Sequence, residues 1–193
     1  VWETGRAGEE AASYENLFLR KEIAGFRTNI RREQSCSIKS LTRDYLYKQL
    51  LSSGEYTFDH MLVIKDPYGE APLTALALFI LEEPACVRVT TKGNLKETDF
   101  VTELPKKKEH RVPILGMYAE KANDIVIEIL DDEGNCVKSH TFTIRTKRLP
   151  KSLRNVITVK KWTDKPAYSN IMINGGVKIH TCVFDIEGKI RYY

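Results

Sequence analysis

Four histidines are the side chains of this sequence best suited to chemistry near neutral pH, because a neutral imidazole can act as a base or a nucleophile. They stand at positions 60, 110, 140 and 180. His60 follows Asp59 at the start of an apolar segment, where a hydrogen bond at the end of a sheet is the expected role. His140 shares strand parity with Phe142 and Ile144, which predicts a half-buried position.

The sequence lacks the spaced residues that common catalytic machineries require. It has no Gly-x-Ser-x-Gly elbow, no His-Glu-x-x-His motif, no P-loop and no dinucleotide fingerprint. Asp131-Asp132-Glu133 has the acidity of a calcium site but not the spacing of an EF-hand loop, which favours a solvated turn. We therefore assign no catalytic, cofactor-binding or metal-binding residue, and we expect no cofactor.

The four cysteines lie about fifty residues apart, at Cys36, Cys86, Cys136 and Cys182. No Cys-x-x-Cys pair occurs, which argues against a structural zinc site. The even number permits one or two disulfides in any of three connectivities, among which the sequence does not choose. Buried free thiols are the favoured interpretation.

The charge balance argues against a nucleic-acid binder. The 193 residues include 30 basic and 26 acidic ones, a net charge of +4, and the basic residues form no dense stripe. Two clusters could attract an anionic partner: Arg27, Arg31 and Arg32 in one, and Lys106, Lys107 and Lys108 in the other. A solvated connector and a soluble surface loop are the favoured interpretations of these clusters.

Nothing in the sequence predicts a membrane span, because no apolar run approaches the ~20 residues needed to cross a bilayer. The first residues, Val1 to Gly5, lack the charged-then-apolar layout of a signal peptide. A protein that has lost its leader, or a fragment of a longer one, would look the same.

Two helices are predicted near the start of the chain. Residues 9–25 carry Tyr14, Leu17, Phe18 and Lys21 at helical spacing and end at Gly25. Residues 37–53 place one stripe on one side, and Gly54 stands where a glycine ends a helix. That stripe consists of Leu41, Tyr45, Leu46 and Leu50.

The segment at 66–81 is the centre of the predicted fold. Pro67 and Gly69 indicate a turn, and from Leu73 to Leu81 only Thr74 is polar, so both faces of this run require cover. Its spacing fits a helix and its length fits a buried strand. We favour a strand that ends at Pro84, since β-rich sequence follows.

Residues 56–147 read as short strands separated by turns. The predicted strands are 60–65, 73–81, 86–92, 98–104, 112–118, 124–130 and 137–145, with a charged loop at 105–111 and a turn at 131–135. About seven short strands in some ninety residues are typical of an Ig-like antiparallel β-sandwich. Its expected core includes Leu76, Leu78, Ile80, Val87, Val89, Ile127, Ile129, Phe142 and Ile144.

The remaining residues predict a connector followed by a hairpin. Residues 147–170 are rich in lysine and proline around one predicted strand at 155–160. After Gly175-Gly176 come strands at 177–184 and 190–193, joined by a turn at 185–189.

Several of these segments resemble bacterial arylsulfate sulfotransferases. The string Pro67-Tyr-Gly-x-Ala-Pro-Leu-Thr-Ala-Leu76, the segment Glu109-His-Arg-Val-Pro-Ile-Leu-Gly-Met-Tyr118 and the Asp-x-x-Gly-Asn turn before Thr141 are similar to that family's N-terminal domain. Together they cover residues 62–147 and imply a β-sandwich placed ahead of a β-propeller. The segment Phe184-Asp-x-x-Gly-x-Ile-Arg-Tyr-Tyr193 resembles the family's first propeller blade.

The resemblance also implies an activity, sulfate transfer between phenols without a nucleotide donor. The family's sulfated histidine, and the histidines and arginine that bind the sulfuryl oxygens, lie on propeller blades that match no position here. His110 falls in the sandwich motif, where the family has no catalytic residue, so a structural role is expected. His180 shares parity with Lys178 and Cys182 and has the best claim to face a propeller axis.

We therefore expect a mainly β chain with three parts: a helical segment at 1–55, an Ig-like sandwich at 56–147, and a linker with the first strands of a truncated propeller at 148–193. The expected role is scaffolding and dimerisation in an exported enzyme, periplasmic or extracellular, whose catalytic site lies in the rest of the propeller. Homo-oligomers would form through the sandwich or the exposed terminal strand, and the chain alone would be inactive. The alternative is a free-standing sandwich that binds a protein or a glycan.

Overall fold

The computed structural model describes residues 35–154, 157–158, 170–173 and 182–193. The predicted helix at 9–25, the arginine cluster at 27–32, His180 and most of the predicted strand at 155–160 lie outside these residues. The elements are α1 (Ser35–Ser52), β1 (Leu62–Lys65), β2 (Ala75–Thr91), β3 (Phe100–Ile114), β4 (Ala122–Leu130), β5 (Cys136–Arg145), β6 (Asn170–Ile173), β7 (Cys182–Asp185) and β8 (Ile190–Tyr192). Short 3₁₀ turns occur at Lys96–Thr98 and Lys151–Leu153.

The long strand β2 organises the first sheet. One of its edges pairs with β3 along nearly the whole strand, from Ala75 opposite Ile114 to Thr91 opposite Phe100. The other edge pairs first with β1 and then with β4, and β5 adds to the far side of β4. All of these pairings are antiparallel, so the predicted mainly β fold class is confirmed.

The prediction of seven short strands is wrong, because two of the observed strands are long. Pro84 does not end β2; register shifts between Ile80 and Val87 accommodate it, so the missing N–H falls where the ladder is interrupted. Likewise, residues 105–111 are not a loop but the middle of β3. The lysines there are exposed on a strand that, within the described part of the chain, pairs only with β2, and such charges protect a sheet edge.

Both faces of β2 are covered, as the sequence predicted. Ala75, Ala77, Phe79 and Leu81 face the main core, which also contains Val87, Val89, Ile127 and Ile144. Ile129 and Phe142 are partly buried against that core. The alternate residues Leu76, Leu78 and Ile80 do not belong to it, contrary to the prediction. They join a second apolar cluster beneath α1, because successive side chains of a strand point to opposite faces.

Helix α1 begins two residues before the predicted helix and ends one residue before its predicted end, and Gly54 follows it with φ +75°. The predicted apolar side is wrong in part. Leu41 and Tyr45 are 65% and 66% exposed, whereas Leu50 packs, as predicted, against the cluster in which Tyr47 and Leu51 are buried against β1 and β2. Tyr47 donates a hydrogen bond of 2.6 Å to the carbonyl of Pro67, and burial raises its pKa to about 12.

A charged contact also orients α1. Asp44 accepts hydrogen bonds from Arg111 of β3 and from the hydroxyl of Tyr68, the latter at 2.8 Å. These bonds, that of Arg111 first, lower the pKa of Asp44. Because two side chains of the sheet region bind one carboxylate of the helix, α1 has a fixed rotational setting on β2.

Strands β6, β7 and β8 form a second antiparallel sheet. The predicted turn at 185–189 joins β7 to β8, while β6 was not predicted, because its residues follow a stretch read as connector. Cys182 and Ile190 of this sheet belong to the same apolar core as Val87 and Ile127 of the first sheet. The hairpin of β7 and β8 therefore packs directly against the first sheet.

Cys182 is a buried free thiol, as predicted, but Cys136 is exposed and Cys86 is intermediate. Within the described ranges, no helix is long and apolar enough to cross a membrane. The same residues contain no group of three His, Cys, Asp or Glu side chains that could hold a metal ion.

Candidate functional site

A buried ion pair lies at the contact between the two sheets. Arg191 of β8 and Asp185 at the end of β7 are 1% and 0% exposed at their side chains, with Nη1 3.1 Å from Oδ2. Charged side chains are almost never fully buried unless they are paired, because leaving water costs several kcal/mol per ion. The structure must therefore supply further partners to both groups.

The partners of Arg191 come from the first sheet and its loops. Nε donates to the carbonyl of Gly116 at 2.6 Å, and Nη1 donates to the carbonyl of Thr98 and to the hydroxyl of Tyr118, both at 2.9 Å. The guanidinium carbon also lies 3.9 Å from the ring centroid of Tyr118, in cation–π range. We name Thr98, Gly116, Tyr118, Asp185 and Arg191 the Arg191 network.

Asp185 uses its two carboxylate oxygens for two purposes. Oδ1 accepts the backbone N–H groups of Glu187 and Lys189, both at 3.0 Å, and so shapes the turn from β7 to β8. Oδ2 accepts from Arg191 and, at 2.8 Å, from the hydroxyl of Tyr118. One side chain thus fixes the local turn and the contact with the first sheet together.

Tyr118 contacts three charged side chains of this region, Asp185, Arg191 and Lys121. Arg191 and Lys121 both lie in cation–π range of its ring, with the Nζ of Lys121 4.6 Å from the ring centroid. Its hydroxyl also accepts the backbone N–H of Asn94 at 3.2 Å. Burial raises the pKa of this phenol, so it stays protonated and can donate to Asp185. At the surface, Lys121 donates to Asn94, and Asn94 donates to Glu187 at 3.0 Å.

The backbone around Tyr118 is held by a buried amide and by a glycine. Asn123 accepts the N–H of Tyr118 at 2.7 Å and donates to its carbonyl at 3.0 Å. Gly116 has φ +72°, and a Cβ atom added there would lie 2.7 Å from Cβ and Cγ of Phe100. Only glycine fits this position, where the carbonyl is aimed at Arg191.

The bonds of the Arg191 network attach one part of the chain to another. An arginine keeps its charge throughout the physiological pH range, and here its bonds join segments 75 residues apart in the chain. Arg191 Nη2 has no hydrogen-bond partner among the described residues, whereas Nε and Nη1 are bonded. The bonds of Nε and Nη1 therefore fix the hairpin of β7 and β8 on the first sheet.

The histidines that the sequence singled out lie elsewhere. His60 is exposed in a turn, where its backbone N–H donates to the carbonyl of Thr57 at 3.1 Å. His110 is 2% exposed; its Nε2 lies 2.9 Å from the carbonyl of Lys107, and its ring stacks on Phe79. His140 is half-buried beside Phe58 and Phe142, as predicted.

The Arg191 network was not predicted from the sequence. Four of its members lie in two of the segments quoted above, one ending at Tyr118 and one running from Phe184 to Tyr193, and Thr98 lies outside both. A signal was present in Asp185 and Arg191, an opposite-charge pair flanking a turn within otherwise apolar strands.

A comparison with known families matches the part of the chain that contains the segment ending at Tyr118. The family model described as the arylsulfotransferase Ig-like domain matches residues 62–147. These residues form an arylsulfotransferase Ig-like domain. No curated protein matches the chain.

The matched range locates the Arg191 network with respect to the Ig-like domain. Thr98, Gly116 and Tyr118 belong to the domain, whereas Asp185 and Arg191 lie beyond its end. Helix α1 lies before its start. Both additions are attached to the Ig-like domain by an arginine–carboxylate pair and a tyrosine.

We predict that Gly116→Ala destabilises the Ig-like domain more than Gly134→Ala does. Both glycines have positive φ, so each alanine costs about 1–2 kcal/mol in backbone strain. Only the alanine at 116 would also clash with Phe100, which adds about 1–3 kcal/mol, because Gly134 has nothing within 4 Å. Urea unfolding of both variants measures the difference, and equal losses would contradict the prediction.

We also predict that His110 makes stability pH-dependent. Burial lowers the pKa of His110 from its ordinary value of 6.5, so the unfolded chain binds its proton more readily than the folded chain. The free energy of unfolding should therefore fall as the pH decreases from about 7.5 to about 5.5. His110→Gln, which keeps an N–H donor, should flatten this slope, and His60→Gln at an exposed position should not. An unchanged slope in His110→Gln would exclude His110 as the cause.

Proposed function

We propose that this chain is the N-terminal scaffolding part of an arylsulfotransferase-like enzyme. In this proposal the Ig-like domain holds the hairpin of β7 and β8 in a fixed orientation, and the groups that transfer sulfate between phenols lie on a propeller that the hairpin begins. The observation that carries the proposal is the contact of Arg191 with Gly116 and Tyr118. It joins two segments that both resemble this family.

The hairpin has features that suit the start of a propeller blade. It belongs to a separate antiparallel sheet with the sequential order β6, β7, β8, which is the connectivity of a blade. The Asp185–Arg191 pair reaches from this sheet to the Ig-like domain. In the proposed enzyme, these side chains therefore set the orientation of the first blade relative to the domain.

The kind of contact also supports a role in orientation. A buried ion pair adds little net stability over apolar residues of similar volume, but breaking it is costly and its geometry is specific. Apolar burial of Cys182 and Ile190 favours contact in many rotational settings. The directed bonds of Arg191 select one of them.

The same proposal includes assembly and location. Strand β5 stands at the end of the first sheet, and β8 has only β7 beside it in the described part of the second. Strand edges of this kind can pair with another chain, so we propose a homo-oligomer formed through the Ig-like domain or through β8. An exported enzyme, periplasmic or extracellular, is proposed from the family resemblance.

The attachment is tested with Arg191→Met, Asp185→Asn and the double variant. Each single change leaves one buried charge without its partner, so we expect losses of about 3–5 kcal/mol and faster amide exchange in residues 182–193. The double variant should lose less than the sum of the single losses, because no charge is left unpaired. Asparagine at 185 also retains an oxygen for the turn.

The matched control is Arg88→Met, which breaks a 2.8 Å ion pair with Glu103 whose side chains are 30% and 59% exposed. Exposed pairs contribute about 0–1 kcal/mol, so this variant should leave the exchange of the hairpin unchanged. If Arg191→Met affects the hairpin no more than Arg88→Met does, the attachment role is wrong.

We further predict that the chain alone does not catalyse sulfate transfer. A sulfuryl transfer site needs a nucleophile, assistance to the leaving phenolate and donors for the sulfuryl oxygens at one point. His110 is bonded to the carbonyl of Lys107, His140 packs against Phe58, and His60 lies in an exposed turn, so none of them is shown converging with donors on one point. The assay uses a nitrophenyl sulfate donor and a phenol acceptor with the chain and with His180→Ala. Acceptor-dependent release of nitrophenol that His180→Ala abolishes would place an active site in this chain.

A further inference from the structure

The loop between β2 and β3 places one exposed amide between two opposite charges. The side-chain oxygen of Asn94 accepts a hydrogen bond from Nζ of Lys121 at 2.6 Å, and its NH₂ group donates to Oε2 of Glu187 at 3.0 Å. An amide suits this place, because it can accept from a lysine and donate to a carboxylate together. Lys121 belongs to the Ig-like domain and Glu187 to the turn between β7 and β8, so Asn94 bridges the two.

We propose that Asn94 is a positioning residue for the hairpin of β7 and β8, and that it holds the turn of the hairpin against the Ig-like domain. This inference rests on the proposed function, in which the domain fixes the orientation of a first propeller blade. The buried Arg191 network holds the strands of the hairpin, whereas Asn94 binds the turn at the surface. Two separate points of polar attachment limit pivoting of the hairpin about either one.

The backbone around Asn94 is fixed within the Ig-like domain. The N–H of Gly93 donates to Oδ1 of Asp99 at 2.7 Å, and the N–H of Asn94 itself donates to the hydroxyl of Tyr118 at 3.2 Å. The side chain of Asn94 therefore projects from an ordered backbone. Less conformational entropy is lost when such a side chain binds the hairpin.

Both partners of the amide are themselves held in place. Nζ of Lys121 lies 4.6 Å from the ring centroid of Tyr118, and the backbone N–H of Glu187 donates to Oδ1 of Asp185 at 3.0 Å. Hydrogen bonds to charged groups are roughly twice as strong as those between neutral groups. Because the contacts of Asn94 are exposed, their loss should loosen the turn without unfolding the Ig-like domain.

Hydrogen exchange of the full chain with Asn94→Asp tests the proposal. Aspartate has the size of asparagine but no donor, so its carboxylate would face that of Glu187 and repel it. Exchange of the amides of residues 182–193 should become about threefold faster or more, and exchange in β1 should be unchanged. The matched control is Asn135→Asp, because the amide of Asn135 also donates to a carboxylate, that of Asp131 at 3.1 Å, but in the turn between β4 and β5. It should leave the exchange of the hairpin unchanged.

A second change at residue 187 separates positioning from a general effect on the loop. Asn94→Asp combined with Glu187→Gln restores the bond with donor and acceptor exchanged, because glutamine can donate to aspartate. Exchange of the hairpin should return to within about twofold of that in the unaltered chain. Failure of this rescue would overturn the proposal, since damage confined to the loop would not respond to residue 187.

Arg191→Met distinguishes a failure of this inference from a failure of the proposed function. If Arg191→Met speeds the exchange of the hairpin and Asn94→Asp does not, Asn94 has no positioning role, but the attachment through Arg191 holds. If neither variant speeds it, both the inference and the attachment role are wrong.

Discussion

The buried charge of Arg191 is the constraint on which the joining of the two sheets depends. A guanidinium in an apolar core must be given acceptors, and here they come from Gly116, Thr98, Tyr118 and Asp185. The requirement extends outward, because each acceptor must itself be held in place. The carbonyl of Gly116 points at Arg191 because residue 116 has a positive φ and no room for a side chain. The backbone of Tyr118 is held by the buried amide of Asn123.

The two faces of β2 have a comparable consequence on the other side of the Ig-like domain. From Ala75 to Leu81, β2 is apolar at every position and cannot expose either face, so a second element must cover the side turned away from the core. Helix α1 does this with Tyr47 and Leu51, and Asp44 fixes its rotation through Arg111 and Tyr68. The apolar run thus requires that α1 packs on β2, and the polar contacts of Asp44 determine the rotation of the helix about its axis.

Much of the Ig-like domain could be predicted from the sequence because its signals are local. Turns at Gly69 and Gly134, the end of α1 at Gly54 and the two-sided burial of β2 follow from single residues or short patterns. Predictions failed where a signal depends on tertiary context. A proline normally ends a strand, but a register shift accommodates Pro84 within β2. Three consecutive lysines are typical of a surface loop, but here they lie on a strand at the edge of the sheet. The Arg191 network escaped prediction because its contacts span 73 to 93 residues, apart from the local pair with Asp185.

The turns at Asp131 and Asp185 share one design, in which the aspartate accepts backbone N–H groups two and four residues ahead and a glycine with positive φ stands three residues ahead. Such turns close short loops and can form early in folding, since little chain entropy is lost. The bonds of Arg191 to Gly116 and Thr98 close much longer loops and require the guanidinium to leave water. Native contacts that form late chiefly govern the rate of unfolding. The attachment of the hairpin would then act mainly as a kinetic barrier, determining how long the two sheets stay joined more than how fast they come together.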